Sequence, residues 1–366
     1  MTGQTTARGD GHGPDGTPGG GPDVFTFGET MVALRGSGPL KLGGTMNVSI
    51  AGAESNVAIG LARLGHDVQW AGAVGDDEAG QLVLRTLRAE GVRISGASAD
   101  SDAPTGLLLF EPRLPDVTRV HYYRAGSAGS RITDHAVERA FAAAPPRAVH
   151  LTGITPALGP AARSAAWRTL RLARQHGSLI CLDVNFRARL WSAEEAAEVL
   201  RAWAPLVDVL IASDDELPLC LPAERSTPAG AAPEAAPAGA VPACAAAPAP
   251  SDDPAAVIAA QAALLLDLGV GEVVVKLGAD GATAFTRAGA LHRPAASVRA
   301  VDAVGAGDAF VAGYLSALLD GHDTAGRLER AVTTGAFAVA SPGDWEGAPT
   351  RAELGMLGAP PGTVVR

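Results

Sequence analysis

The stretch Val301-Asp302-Ala303-Val304-Gly305-Ala306-Gly307-Asp308-Ala309-Phe310 runs from a glycine-rich turn through an acid into an apolar, helix-like segment over 310–319. Such a turn points backbone N–H groups one way, and a helix N-terminus adds unpaired N–H groups and the positive end of its dipole. Together they make a pocket for an anion such as a transferring phosphate. A carboxylate there repels the anion, which is tolerable if it faces a second substrate and removes a proton from it. The four residues therefore suit phosphoryl transfer to a hydroxyl. Asp308 is then the general base, and the amides of Gly305, Ala306 and Gly307 hold developing charge. The same pattern also reads as an Asp N-cap after a Gly turn, so other parts of the chain must decide.

A second constellation, Gly52-Ala53-Glu54-Ser55-Asn56-Val57-Ala58, opens another helical pattern. Gly52 lets a hydroxyl approach the backbone closely, and Asn56 offers both donor and acceptor groups, although an Asn also suits a helix start. Arg124 and Arg187 are the candidates for anions, because a guanidinium stays charged and pairs with a carboxylate in bidentate fashion. An isolated arginine would more often be a surface ion pair.

With Gly-Ala-Gly-Asp-Ala-Phe at 305–310 and Gly-Ala-Glu-Ser-Asn-Val-Ala at 52–58, the chain resembles the ribokinase (PfkB) family of sugar kinases over about 23–349. Within that family it looks most like the 2-dehydro-3-deoxygluconate kinases. Three segments carry this: His121-Tyr122-Tyr123-Arg124-Ala125-Gly126-Ser127-Ala128-Gly129-Ser130, Asp183-Val184-Asn185-Phe186-Arg187-Ala188-Arg189-Leu190-Trp191, and Gly343-Asp344-Trp345-Glu346-Gly347-Ala348-Pro349. Related fructokinases share the second.

The resemblance implies an ATP-dependent phosphotransferase acting on the terminal hydroxyl of 2-dehydro-3-deoxy-D-gluconate, with Mg2+. It assigns Gly52, Ala53, Asn56, Tyr122, Arg124, Arg187 and Asp344 to the sugar acid, with Tyr122 and Arg124 at its acidic end. It places Asn185, Arg187, Ser213, Lys276, Gly278, Gly281, Gly305 and Gly307 against the nucleotide, and gives Glu216 to the metal through water. Asp344 also suits a turn after Pro342-Gly343, and Lys276 to Gly281 is also a plain Gly-rich turn at a strand end. Two positions depart from the pattern: Ser213 stands where an Asn is usual, and Leu108 where related enzymes often carry a Tyr. A homodimer through the lid is also implied. The alternatives are a fructokinase or other sugar kinase of this fold, or a non-catalytic sugar-acid sensor.

These residues need a scaffold. The chain has 366 residues, 47% of them hydrophobic, with a net charge of −10. That excess of acid argues against broad nucleic-acid or membrane-surface binding, and it requires anion sites to be built locally. Cys181, Cys220 and Cys244 are scattered and off metal-ligand spacing, as in reduced cytoplasmic thiols. No 18-residue apolar run occurs, so no membrane span is expected.

Apolar positions 57, 61 and 64 share a helical face that stops at Gly65. Strands are expected at 24–27, 68–74, 149–152, 179–183, 209–212 and 273–276. Helices are expected near 57–64, 80–90, 160–176, 193–203, 254–268, 310–319 and 328–340. Such alternation means an α/β fold with a parallel sheet covered on both faces. The resemblance makes it a ribokinase-like three-layer αβα sandwich with a mostly parallel central sheet. Extended segments at about 31–50 and 105–124, the second with a turn at 112–116, break the alternation and are expected to form a small β-sheet lid. The kinase domain is thus expected over 23–350. A Gly-rich tail over 1–22, an Ala/Pro-rich insertion over about 222–250 and a C-terminal tail over 351–366 lie outside its core, the first two too poor in large apolar residues to fold.

Overall fold

The computed structural model describes residues 21–114, 117–222, 253–359 and 363. Most of the expected N-terminal tail, nearly all of the Ala/Pro-rich insertion with Cys244, the turn residues 115–116 and the end of the C-terminal tail lie outside these described residues. Along the chain the first elements are β1 (Val24–Phe27), β2 (Met31–Gly36), β3 (Met46–Ala51), α1 (Ala53–Arg63), β4 (Val68–Ala71), β5 (Ala73–Gly75), α2 (Glu78–Ala89) and β6 (Ser98–Asp100). Then come β7 (Leu107–Leu114), β8 (Val117–Tyr123), α3 (Asp134–Ala143), β9 (Ala148–Thr152), α4 (Pro160–His176), β10 (Leu179–Asp183), α5 (Ala193–Trp203) and β11 (Val209–Ser213). The last are α6 (Pro254–Asp267), β12 (Glu272–Lys276), β13 (Ala282–Thr286), β14 (Gly289–Arg293), α7 (Ala306–Leu319) and α8 (Thr324–Val339).

Eight strands form the central sheet in the order β14-β13-β12-β11-β10-β9-β1-β4. From β12 to β4 neighbours run parallel, whereas β12–β13 and β13–β14 are antiparallel. The parallel strands are apolar on both faces, as burial between two helical layers requires. On β11, Val209 and Ile211 join the core under α1, α2, α7 and α8, while Leu210 and Ala212 join the core under α3, α4, α5 and α6. This is the expected three-layer sandwich.

The helices start and stop on local chemistry. Ser192 and Glu195 form a capping box at α5, and α4 runs from Pro160 at its first position to Gly177 in the left-handed region. The segments expected to form a separate sheet do so: β3-β2-β7-β8 is four-stranded and stands apart from the central sheet.

Three expectations need correction. The strand over 68–74 is two strands in different sheets, β4 and β5. They break at Gly72, where a Cβ would meet the Trp70 ring at 2.2 Å and the Gly28 carbonyl oxygen at 2.7 Å. The antiparallel β13–β14 edge breaks the simple strand–helix alternation. Residues 351–359 are no free tail, because Arg351 donates to the Leu64 carbonyl at 2.8 Å and to Asp320 at 2.6 Å. Among the described residues no helix is long and apolar enough to cross a membrane.

Candidate active site

A cavity of about 820 Å³ lies where the small sheet meets the loops at the carboxyl ends of the central strands, the usual place for a ligand in an open α/β sheet. Met31, Leu108, Phe110 and Tyr122 of the small sheet wall one side; Gly52, Asn56, Gly305 and Asp308 face them. Every residue expected to touch the sugar lines it: Gly52, Ala53, Asn56, Tyr122, Arg124, Arg187 and Asp344. The nucleotide-side candidates Asn185, Ser213, Lys276, Gly278 and Gly281, with Ala306 and Gly307, stand outside that lining, at or near the ends of β10, β11 and β12 and at the start of α7.

Asp308 is not the N-cap of α7. The helix begins at Ala306, four residues earlier than expected, with Gly305 as N-cap at φ 74° and Asp308 inside the first turn. Gly305 is required twice over: its φ is left-handed, and a Cβ there would fall 1.8 Å from the Asp344 carbonyl oxygen. The Ala306 amide points at the Ala303 carbonyl at 3.4 Å. The amide of Gly305 and, inside the helix, those of Gly307 and Asp308 have no acceptor among the described residues, so they are the orphan donors of this turn.

The Asp308 carboxyl is buried, and burial pushes its pKa up to about 7. Asn56 opposes this by donating from Nδ2 to Oδ2 at 2.8 Å. Packing of α1 on α7 brings the two together; a Cβ on Gly60 would meet that of Ala312 at 2.8 Å. Asn56 Oδ1 is buried without a partner, which leaves an acceptor for a ligand hydroxyl.

At the ends of β10 and β12, Lys276 Nζ contacts Asp183 Oδ1 at 2.9 Å, and Asn185 Nδ2 donates to Asp183 Oδ2 at 3.1 Å. Burial alone would lower the Lys276 ammonium, but Asp183 and Glu216 hold it above its ordinary value. The ammonium lies 3.7 Å from where a Gly307 Cβ would be, with nothing else within 4 Å. An open space beside a fixed cation and two free amides fits a phosphate. Asn185 is the one non-glycine with positive φ (41°) among the described residues, and its Oδ1 is buried and unpartnered. Such strain with an orphan acceptor belongs at a ligand site.

Glu216 makes two main-chain contacts. Its Oε1 accepts the Phe186 amide at 2.7 Å and its Oε2 the Ser213 amide at 2.9 Å. It braces the end of β11 against the loop after β10, and Ser213 takes part through its main chain. Gly278 (φ 58°) and Gly281 (φ 97°) form the tight turn between β12 and β13, where a Cβ on Gly281 would meet the Arg293 carbonyl at 2.1 Å.

The cations also differ from a simple anion receptor. Arg124 is not free. Its Nε and Nη2 grip Oε2 of the buried Glu29 at 2.7 and 2.5 Å, and Ser127 donates to the other Glu29 oxygen. Arg187 is exposed and donates to its neighbour Phe186's carbonyl at 3.0 Å; Arg189 donates to the Val120 carbonyl at 3.2 Å and lies over the Tyr122 ring. Neither makes an ion pair among the described residues, and both line the cavity. Leu108 pairs with Tyr122 across β7 and β8, so the hydroxyl missing at 108 leaves an apolar surface beside Tyr122.

Sequence reading missed Arg35, Glu29 and Asp183. Arg35 donates from Nη2 to Asp344 Oδ2 at 2.6 Å and from Nη1 to Asp302 Oδ2 at 3.0 Å. Burial pushes the Asp344 carboxyl up to about 6, with Arg35 acting against it. Their partners are remote in sequence, so no local spacing reveals them. The Asp-x-Asn-x-Arg run at 183–187 was the one signal for Asp183.

The profile of the pfkB family carbohydrate kinase matches residues 22–351. The chain is similar to the 2-dehydro-3-deoxygluconokinase of Bacillus subtilis (strain 168), 33% identical over 337 residues, covering 91% of this chain and 94% of that one. It is similar to the 2-dehydro-3-deoxygalactonokinase of Haloferax volcanii, 31% identical over 88% of this chain and 92% of that one. Among solved structures it resembles a PfkB protein from Polaromonas sp. JS666, with TM-score 0.73, 33% identity, and 91% and 99% of the two chains covered.

Proposed function

The chain belongs to the pfkB family of carbohydrate kinases, phosphotransferases with an alcohol acceptor, and from that premise we propose that it phosphorylates 2-dehydro-3-deoxy-D-gluconate on its terminal hydroxyl, giving the 6-phosphate. ATP is the donor. The observation that carries this reading is Asp308: a buried carboxyl near neutrality, at the mouth of orphan helix amides and inside the cavity.

In this mechanism the acceptor hydroxyl donates to Asp308, and a second hydroxyl of the sugar donates to Asn56 Oδ1. Asp308 takes its proton as the acceptor oxygen bonds to the γ-phosphorus. The bond from that phosphorus to the β,γ-bridging oxygen breaks, and ADP leaves. The amides of Gly307 and Asp308, with Lys276, meet the charge on the transferring group. Asn56 orients the carboxylate, and Asp344 and the Gly52 backbone hold the sugar. Mg2+, when bound to the nucleotide, neutralises phosphate charge. Asn185, and Glu216 through its remaining lone pairs, are the residues here that would face its water shell.

Arg187 and Arg189 favour an acidic substrate, since they are the cavity's unpaired cations. A fructokinase is the second reading, and the Glu29–Arg124 pair favours it, because it cancels a charge that a neutral sugar does not need. Side-by-side turnover of 2-dehydro-3-deoxygluconate, its galactonate epimer and fructose tests the choice; faster turnover of fructose overturns it. The reading includes a cytoplasmic enzyme dimerised through the small sheet. Leu42, Val48, Val117 and Tyr123, exposed on or beside that sheet, support the dimer, and light scattering at two concentrations checks it.

A further inference from the structure

Arg35 stands on β2 of the small sheet, yet both prongs of its guanidinium reach the main domain. The two contacts, 2.6 Å to Asp344 and 3.0 Å to Asp302, hold two loops at once. The guanidinium also lies 4.1 Å from the ring centre of Phe110, its register partner on β7, which fixes its direction. Asp302 in turn accepts the Val304 amide at 3.0 Å and the Gly343 amide at 3.4 Å. Gly305 packs so closely on Asp344 that there is no room for a methyl group between them. A shift of either loop is therefore felt by the other, and both are anchored to one side chain of the small sheet.

We infer that Arg35 is a positioning residue that couples closure of the small sheet to the shape of the anion-binding turn at Gly305–Asp308. The inference rests on the kinase reading above and deepens it. When β2 moves away, the fork releases Asp302 and Asp344 together, and the turn loses its outer support. When β2 returns, both carboxylates are seated again. The turn is fully shaped only with the small sheet closed over the acceptor, which keeps water from competing for the phosphate.

The test uses Arg35→Met, which keeps length but removes both contacts, and Arg35→Lys, which keeps charge but loses the fork. Each is assayed with whichever alcohol the wild type turns over fastest, so an error in the sugar assignment leaves the test intact. Both variants are expected to lose ten- to a hundredfold in kcat, to release more ADP per sugar phosphate formed, and to show faster amide exchange over 302–307 in the ligand-free protein. Asp302→Asn should lower kcat in the wild-type background but by less than twofold on top of Arg35→Met, because the support it belongs to is already gone. If Arg35→Met does not fold, Arg35→Lys decides by the same measures. Turnover within twofold of wild type, unchanged exchange over 302–307, or independent losses from Arg35 and Asp302 overturns the proposal.

Discussion

Asn56 on α1 and Asp308 on α7 meet through a single 2.8 Å hydrogen bond, Nδ2 to Oδ2, at the floor of the cavity. Burial raises this carboxyl to about 7, and the Asn56 contact restrains it from going higher. A base must be ionised to act, so kcat/KM should rise with pH and level off above about 7. In Asn56→Ala the restraint is gone and the midpoint should move to higher pH. A pH–rate profile that leaves the midpoint unchanged in Asn56→Ala would show that another group sets it.

The same burial makes Asp308 costly to the fold. Its folded pKa of about 7 exceeds the ordinary 3.8, so the folded state holds the proton more tightly than the unfolded state. The associated stability is complete below about pH 4 and is lost as pH rises through about 7. Asp308→Asn should therefore lower turnover by at least about a hundredfold, leave sugar binding measurable by calorimetry, and stabilise the protein at pH 8 by roughly 2–4 kcal/mol. Melting curves at pH 5 and pH 8 check the sign: the gain should be larger at pH 8.

The sequence already exposed what depends on local chemistry. α4 and α5 carry their apolar period, their caps and their stop signals within one segment, and both lie where expected. Gly305, Asp308 and Asn56 stood out because a glycine-rich turn at a helix start and an Asn in a helix's first turn are local patterns. The start of α7 was expected too late, because the left-handed Gly305 begins the helix before the apolar run does. The Glu29–Arg124 pair, 95 residues apart, and the Arg35–Asp344 pair, 309 apart, depend on how the small sheet sits on the main domain, which no spacing encodes. The β4–β5 break was hidden as well, since Gly72 is needed for its approach to the folded-back Trp70 ring and to the Gly28 carbonyl, 44 residues away.

Glu29 complicates any experiment on Arg124. Its carboxylate is buried, and a Cβ on Gly129 or Gly106 would strike its side chain, at 2.3 and 2.7 Å. Removing Arg124 leaves that charge uncompensated, so Arg124→Met should destabilise the fold by roughly 3–5 kcal/mol. Adding Glu29→Gln should recover much of that loss, since the Gln carbonyl oxygen can still accept from Ser127. The double variant then isolates recognition: if Arg124 reads the acidic end of the sugar, the ratio of kcat/KM for sugar acid to fructose falls at least tenfold. An unchanged ratio would assign that end to Arg187 and Arg189.

Two glycines two residues apart in the turn should respond in opposite ways. Gly305→Ala must adopt φ 74° and place a methyl on the Asp344 carbonyl oxygen, so it should cost at least about 2 kcal/mol and most of the activity together. Gly307 is different. It lies in the first turn of α7, and an added methyl meets only Lys276 Nζ at 3.7 Å. Alanine there should hold or raise the melting temperature, since it is the better helix former by about 1 kcal/mol. The methyl would nonetheless stand in the space between the ammonium and the orphan amides, where the phosphate is to lie. Gly307→Ala should then fold well, bind sugar normally by calorimetry, and turn over at least tenfold more slowly with a raised KM for ATP. Wild-type kinetics in this stable variant would mean that phosphate does not pass between Lys276 and the start of α7.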